Sequence, residues 1–252
     1  MLDRIDHPAD IRELRLARPP ANALDPDLVA TLTEAIVAAP RDGARALVVS
    51  ARPRMYSGGL DVPVLLALER PAMERFLGDF LSLLRAIATS PVPIVAAITG
   101  HAPAGGAVLA IHCDYRVMVA GDFRIGLNEV AVGLPLPRVI HSTLVRLVGP
   151  AAAEKLAVAG ALIPAAEALR LGLVDELVEP DAVVERAVAK AGELVALPAR
   201  AMAATRELAR RDLVESFARE ERATWEAFVE DWFSAETQAA LRALVERLSK
   251  KG

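Results

Sequence analysis

Between Asp122 and Glu154 the chain has a single acidic residue, Glu129, flanked by Leu127, Val130, Val132 and Leu134. An ionised carboxylate avoids apolar surroundings, so its placement needs a reason. Two stretches upstream each carry a glycine pair: Ser57-Gly58-Gly59-Leu60-Asp61 and Ala102-Pro103-Ala104-Gly105-Gly106. Backbone that turns into the start of a helix leaves N–H groups free to point at a ligand. Two such donors and one carboxylate are the parts needed to enolise a carbonyl compound. The donors hold the oxyanion and the carboxylate moves the proton. Each feature also has a plain structural reading. A Gly-Gly pair can be a tight turn, and Glu129 can face water from a loop.

Each glycine pair follows a stretch with strand character. Residues 94–98, framed by Pro91 and Pro93, form an apolar, β-branched run that reads as a buried strand. Behind Gly106, residues 107–112 are small and apolar with no helix breaker, which gives strand, glycine turn, helix. A second strand is expected over 115–120. The buried strand before the first glycine pair is 46–50. That pair has the spacing of neither a dinucleotide fingerprint nor a phosphate loop, and Ser57 lacks the flanking glycines of a nucleophile elbow. A helix is expected from about residue 71 to 89. Its Met73, Phe76, Leu77, Phe80, Leu81, Leu84 and Ile87 recur at three- and four-residue steps, and beside such a loop it can wall a pocket.

The remaining elements frame these. Residues 11–16 read as a strand, and the proline-broken Arg18-Pro19-Pro20-Ala21-Asn22-Ala23-Leu24 cannot be regular structure. Asp25-Pro26 starts a helix as cap and first turn, with Leu28, Leu32, Ala35, Ile36 and Ala39 on its apolar face. Helices are expected over 139–147, from Gly149-Pro150 to near Gly160, and from Pro164 to Gly172, then a short extended segment over 173–178. The tail reads as helices 182–197, 199–212, 214–231 and 237–250. The division falls near residue 195, giving a mixed part (1–195) and a helical part (196–252) with no flexible linker between them.

Composition narrows the class. The chain has 252 residues, 54% of them hydrophobic, enough for one large core. Arg, Asp and Glu interrupt every apolar run, so no membrane span is expected, and the first eight residues do not resemble a secretion signal. The single cysteine, Cys113, leaves no intrachain disulfide and no cysteine-based metal site, which fits a reducing cytoplasm. A net charge of −4 and 4% aromatic residues speak against nucleic acid. His101 and His112 read as structural, and no metal is expected.

Taken in order, several motifs resemble the crotonase, or enoyl-CoA hydratase/isomerase, superfamily over nearly the whole chain. They are Pro19-Pro20-Ala21-Asn22-Ala23-Leu24, Ser57-Gly58-Gly59-Leu60-Asp61, Ile98-Thr99-Gly100-His101-Ala102-Pro103-Ala104-Gly105-Gly106, Cys113-Asp114-Tyr115-Arg116, Ile125-Gly126-Leu127-Asn128-Glu129 and the stretch 165–175. The resemblance implies an α/β crotonase fold: turns of β-β-α superhelix, then a helical region that builds homotrimers or dimers of trimers. It implies an oxyanion hole from the N–H groups of Leu60 and Gly105. It implies that Ala21, Ala23 and Leu24, together with Ser57, Gly59, Leu60 and Asp61, hold the coenzyme A part of an acyl-CoA thioester. Gly105, Gly106 and Asn128 complete the substrate site, and coenzyme A is part of the substrate rather than a cofactor.

Leu60, Cys113-Asp114-Tyr115-Arg116 and Gly126-Leu127-Asn128-Glu129 look like the monofunctional delta-3,delta-2-enoyl-CoA isomerases. Hydratases of the superfamily hold a water between two glutamates. One corresponds to Glu129, but Val108 stands at the other. A single carboxylate can shuttle a proton from the alpha to the gamma carbon of a 3-enoyl thioester, and apolar neighbours would raise its pKa towards neutrality. Alternatives are a hydratase or thioester hydrolase using another acid, Glu69, Glu74 or Asp79, and a catalytically silent acyl-CoA-binding subunit. Gly58 departs from the family's usual alanine. The cation for the CoA phosphate is not evident among Arg18, Arg52 and Arg54, and a C-terminal Lys of a neighbouring subunit would serve as well. Pocket depth is expected to depend on the 71–89 helix and on C-terminal helices of a neighbour.

Overall fold

The computed structural model of the protein describes residues 1–219 and 222–250. The chain starts with β1 (Leu2–His7), β2 (Ile11–Leu16) and α1 (Pro26–Ala38). Then come β3 (Ala46–Ala51), β4 (Arg54–Met55), the one-turn α2 (Val62–Leu65) and the long α3 (Arg70–Thr89). Next are β5 (Ile94–Ile98), β6 (Gly100–Pro103), α4 (Gly105–His112), β7 (Tyr115–Val119) and β8 (Arg124–Gly126). A 3-10 turn (Glu129–Val132) leads to α5 (Arg138–Val148), α6 (Pro150–Val158), β9 (Ile163–Pro164), α7 (Ala165–Leu171) and β10 (Glu176–Val178). The helices α8 (Val183–Val195), α9 (Ala199–Ala209), α10 (Arg211–Ala218), α11 (Arg222–Trp232) and α12 (Ala235–Ser249) complete the chain.

A six-stranded sheet runs β1-β2-β3-β5-β7-β10, and a four-stranded one runs β4-β6-β8-β9. The first is antiparallel only at β1–β2, and the second only at β8–β9. The strand pairs β3–β4, β5–β6 and β7–β8 each give one strand to each sheet before a helix follows, which is the expected β-β-α repeat of the crotonase fold. Every residue of β3 and β5 is buried, as unbroken apolar runs in a parallel sheet require. Helix α8 lies across β2, β3, β5 and β7, and α1 packs on α3. Asp25 caps α1 as expected, its Oδ1 accepting from the Leu28 N–H at 2.8 Å, with Pro26 in the first turn.

Two features differ from expectation. Strand β1 has apolar residues only at Leu2 and Ile5, a step of three, and forms because the hairpin pairs it with β2. The helix expected over 199–212 breaks at Arg210, where φ is −105° and ψ is 6°. The Arg210 guanidinium turns inward, donating to the His112 carbonyl at 2.6 Å and to Asp114 at 3.0 Å. Arg206 also pairs with Asp114, at 2.7 Å, so two arginines fasten the tail to the start of β7. The helix expected over 214–231 includes Glu220 and Glu221, which lie outside the described residues, as do Lys251 and Gly252 of the expected helical region 196–252. Helices α10, α11 and α12 pack back on α3, on α5 and on the turn that begins at Glu129. Among the described residues no helix is long and apolar enough to cross a membrane.

Candidate active site

The two glycine loops meet. A Cβ on Gly105 would lie 2.9 Å from Leu24 Cδ1 and 3.1 Å from Gly59 Cα, so a side chain there would press on the Gly59 backbone. Gly59 has φ +88°, a conformation that side chains disfavour. The first loop is tied to the Ala21–Leu24 segment: Gly58 N–H donates to the Ala21 carbonyl, Leu24 N–H to Gly59, and Asp61 N–H to Leu24. This ladder passes over Leu60, whose N–H has no acceptor among the described residues. Gly105 opens α4, so its N–H lacks an intrahelical acceptor and has no other among the described residues. Both donors are free, on loops pressed against each other.

Glu129 shares a cavity of about 30 Å³ with Leu60 and Gly105. Leu77 and Phe80 of α3, Val108 of α4, Pro137 and Ile140 at the start of α5, and Trp225 and Phe228 of α11 complete the lining. Glu129 Oε2 is buried without a hydrogen-bond partner among the described residues. Burial in this apolar shell pushes its pKa from 4.5 up to about 7, partly opposed by its own backbone N–H. The shell is not the sequence neighbours, since Val130 is 47% exposed; it comes from α3, α4 and α11. A second buried acid shows the contrast. Glu13 is also fully buried, and burial alone would raise its pKa. Ser50, His7 and Arg15 hydrogen-bond its oxygens and more than offset that, so its pKa is lowered. Glu13 is held as a structural anion, whereas Glu129 Oε2 has no such partners among the described residues.

The remaining expected residues divide into those at the cavity and those behind it. Leu24 is fully buried, its side chain against Gly105, and Ala21 and Ala23 are half-buried on the neighbouring loop. Ser57 is fully buried, donating to the Asn22 carbonyl at 2.8 Å and accepting from Gly59 N–H. Asp61 caps α2 and pairs with Arg18 at 2.7 Å, while the same guanidinium pairs with Asp25 at 2.8 Å. Arg18 is therefore committed to the loops, and Arg52 and Arg54 are exposed. Gly106 packs so tightly that a Cβ would lie 2.5 Å from the Ser57 carbonyl oxygen. Asn128 Oδ1, next to Glu129 in sequence, is buried without a partner among the described residues. Glu74 and Asp79 on α3 and Glu69, the residue that caps it, are exposed, so none of these acids reaches the cavity. His112 is fully buried, with Nδ1 on the Val108 carbonyl and a pKa lowered by burial to about 4, and so acts structurally.

The wall differs from expectation. Helix α11 of this same chain closes the cavity over α3, in the place expected for a neighbour's helices. The signal was in the sequence: Trp225, Phe228, Val229 and Trp232 fall at steps of three and four and form one apolar face. Among the described residues no three His, Cys, Asp or Glu side chains cluster to hold a metal ion.

A β-β-α superhelix with two converging N–H loops and a lone carboxylate defines the crotonase class. Comparison with known proteins places it further: the enoyl-CoA hydratase/isomerase family matches residues 6–251, and the chain belongs to that family. It is 27% identical to mitochondrial enoyl-CoA delta isomerase 1 of Rattus norvegicus, over 96% of this chain and 85% of that protein. It is 36% identical to a putative enoyl-CoA hydratase of Thermus thermophilus, over 74% of this chain and 75% of that one. The crystal structure of human mitochondrial delta3-delta2-enoyl-CoA isomerase superposes with a TM-score of 0.93 at 27% identity, covering 99% of this chain and 98% of that one.

Proposed function

We propose that the protein is a delta-3,delta-2-enoyl-CoA isomerase in which Glu129 is the sole acid–base. The observation that carries this reading is the composition of the cavity. Among the described residues Glu129 is its only carboxylate, and Val108 stands where the resemblance puts the second glutamate of a hydratase. The thioester carbonyl accepts from the N–H groups of Leu60 and Gly105. Ionised Glu129 removes a proton from the alpha carbon, and electron density moves onto the carbonyl oxygen, where both donors stabilise it. The resulting dienolate takes the proton back at the gamma carbon as its carbonyl re-forms, leaving the double bond conjugated with the thioester. Removing one such donor costs about 3 kcal/mol in comparable sites. A pKa near 7 suits a group that must both accept and return the proton at neutral pH.

The supporting features are the free N–H pair, the unpartnered carboxylate and the dry lining. The same reading includes a homotrimer or dimer of trimers in the cytoplasm. Helix α9 buries none of its residues within the single chain, which supports an assembled state. A hydratase reading is favoured by the Thermus relative's name. The two separate when one preparation is offered a trans-3-enoyl-CoA and a trans-2-enoyl-CoA. Conversion of the first to the conjugated isomer, with negligible water addition to the second, is expected. Rapid hydration of the second would favour the hydratase, and tight binding without turnover would favour a silent acyl-CoA-binding subunit.

A further inference from the structure

Helix α5 serves two separate places. Pro137 and Ile140 at its start line the cavity beside Glu129. Arg138, Ser142 and Arg146, at steps of four and so on one face, line a second recess that shares no residue with that cavity. Across this recess stands α10, which contributes Asp212 and Ser216, with Arg219 at its end. The recess measures about 170 Å³. A cavity of about 150 Å³ admits a six-carbon ring, so a tetrahedral oxyanion fits here.

The lining has three guanidinium groups and one carboxylate among the described residues, in a chain of formal net charge −4. Arg146 holds Asp212 through Nε, at 3.0 and 3.1 Å, and donates to the Ala209 carbonyl through Nη2. Its Nη1 has no acceptor among the described residues. Arg219 donates to Glu215 through Nη2 at 2.7 Å, which leaves its Nε and Nη1 in the same condition. The Ser142 hydroxyl, on the half-buried middle of α5, also makes no hydrogen bond among the described residues. Arg138 has a contact of its own and adds a third positive group. Asp212 is the one lining group that opposes an anion, and Arg146 already neutralises it.

We propose that this recess binds a phosphate group, held by the remaining donors of Arg146 and Arg219 and by the Ser142 hydroxyl. Guanidinium donors suit phosphate oxygens, and the bonds are charge-assisted. A phosphate can accept from all three side chains at once, whereas a carboxylate has only two oxygens to share among them. Bound there, the group joins α5 to α10.

The test is titration calorimetry with inorganic phosphate, at constant ionic strength set with sodium chloride, and it needs no turnover. Wild type is expected to bind one phosphate per chain. Arg219→Gln removes a largely exposed charge and so spares the fold, and Ser142→Asp places a carboxylate in the recess. Each is expected to weaken binding by at least about tenfold, the effect of losing one charge-assisted hydrogen bond or adding a like charge. Arg75→Gln removes an exposed charge of α3 outside the recess and should leave binding unchanged. Methyl phosphate that binds as well as phosphate assigns the site to a phosphate monoester, and its rejection assigns the site to the free ion; both support a phosphate site. No saturable binding to wild type, equal binding of acetate, or equal weakening in Arg75→Gln would overturn the proposal. So would unchanged binding in folded Arg219→Gln and Ser142→Asp, with folding checked by circular dichroism.

Discussion

The Thr237 hydroxyl donates to the Gly133 carbonyl across 2.8 Å, joining the first turn of α12 to the far end of the turn that begins at Glu129. Thr237 is itself fixed by its N–H on Ser234 Oγ, the cap of α12. The C-terminal helix thus braces the loop that carries Glu129. Thr237→Val keeps the shape and removes the donor. A loss of about 1 kcal/mol in unfolding free energy is expected. A roughly tenfold fall in kcat is also expected, from a displaced carboxylate. KM should change little, since the two glycine loops lie elsewhere. Denaturant melts and steady-state kinetics check both.

Glu129 links activity and stability to pH with opposite signs. As a base it must be ionised, so kcat/KM should rise with pH through about 7. Its folded pKa lies above its ordinary 4.5, so between about 4.5 and about 7 the native state holds a proton that the unfolded chain releases. Its contribution to stability is therefore fully present below 4.5, is lost as pH rises to about 7, and stays lost above it. Glu129→Gln should make the protein more stable at pH 8 by about 1–3 kcal/mol, with the gap closing towards pH 4.5. Urea titrations of both proteins at the two pH values measure it.

The glycine loops differ in tolerance. At Gly105 a methyl would strike Leu24 Cδ1 at 2.9 Å and the Gly59 backbone at 3.1 Å, forcing the two donors apart. Gly105→Ala should lower kcat by about a hundredfold or more. At Gly58 the nearest atom to a new methyl is the Ala21 Cβ, at 3.2 Å. Gly58→Ala should stay within a few-fold of wild type. Kinetics of the two variants side by side give the comparison.

Arg18 holds two helix caps at once, through Asp25 and Asp61. Arg18→Gln would leave both carboxylates without their cation and loosen the loop carrying Leu60. Stability should fall by about 1–3 kcal/mol, less than for a wholly buried pair because the guanidinium keeps some solvent contact. KM for the CoA ester should rise. Calorimetry and substrate titration would show it.

The two glycine loops and Glu129 are legible in sequence because each is local: a glycine pair after an apolar strand, and one acid in an apolar stretch. The capping of α1 by Asp25 is legible for the same reason. What closes the cavity is not. Trp225 and Phe228 lie about a hundred residues beyond Glu129, and their periodicity identifies a buried face without naming its partner. The break at Arg210 is hidden likewise, because its cause is a long-range contact with His112 and Asp114. The acids Glu74 and Asp79, and Glu69 at its cap, fall on a helix that does wall the cavity. Only the helix's rotation, which Leu77 and Phe80 fix by facing inward, turns them to solvent.

The most direct measurement is the rate at which Glu129→Gln converts a trans-3-enoyl-CoA to its conjugated isomer, taken beside its affinity for a saturated acyl-CoA. The side chain is replaced by one of equal shape that cannot accept a proton, while the free N–H groups of Leu60 and Gly105 remain. A loss of at least about a thousandfold in kcat with affinity retained is the expected result. Turnover within tenfold of wild type would contradict the proposal that Glu129 carries the proton.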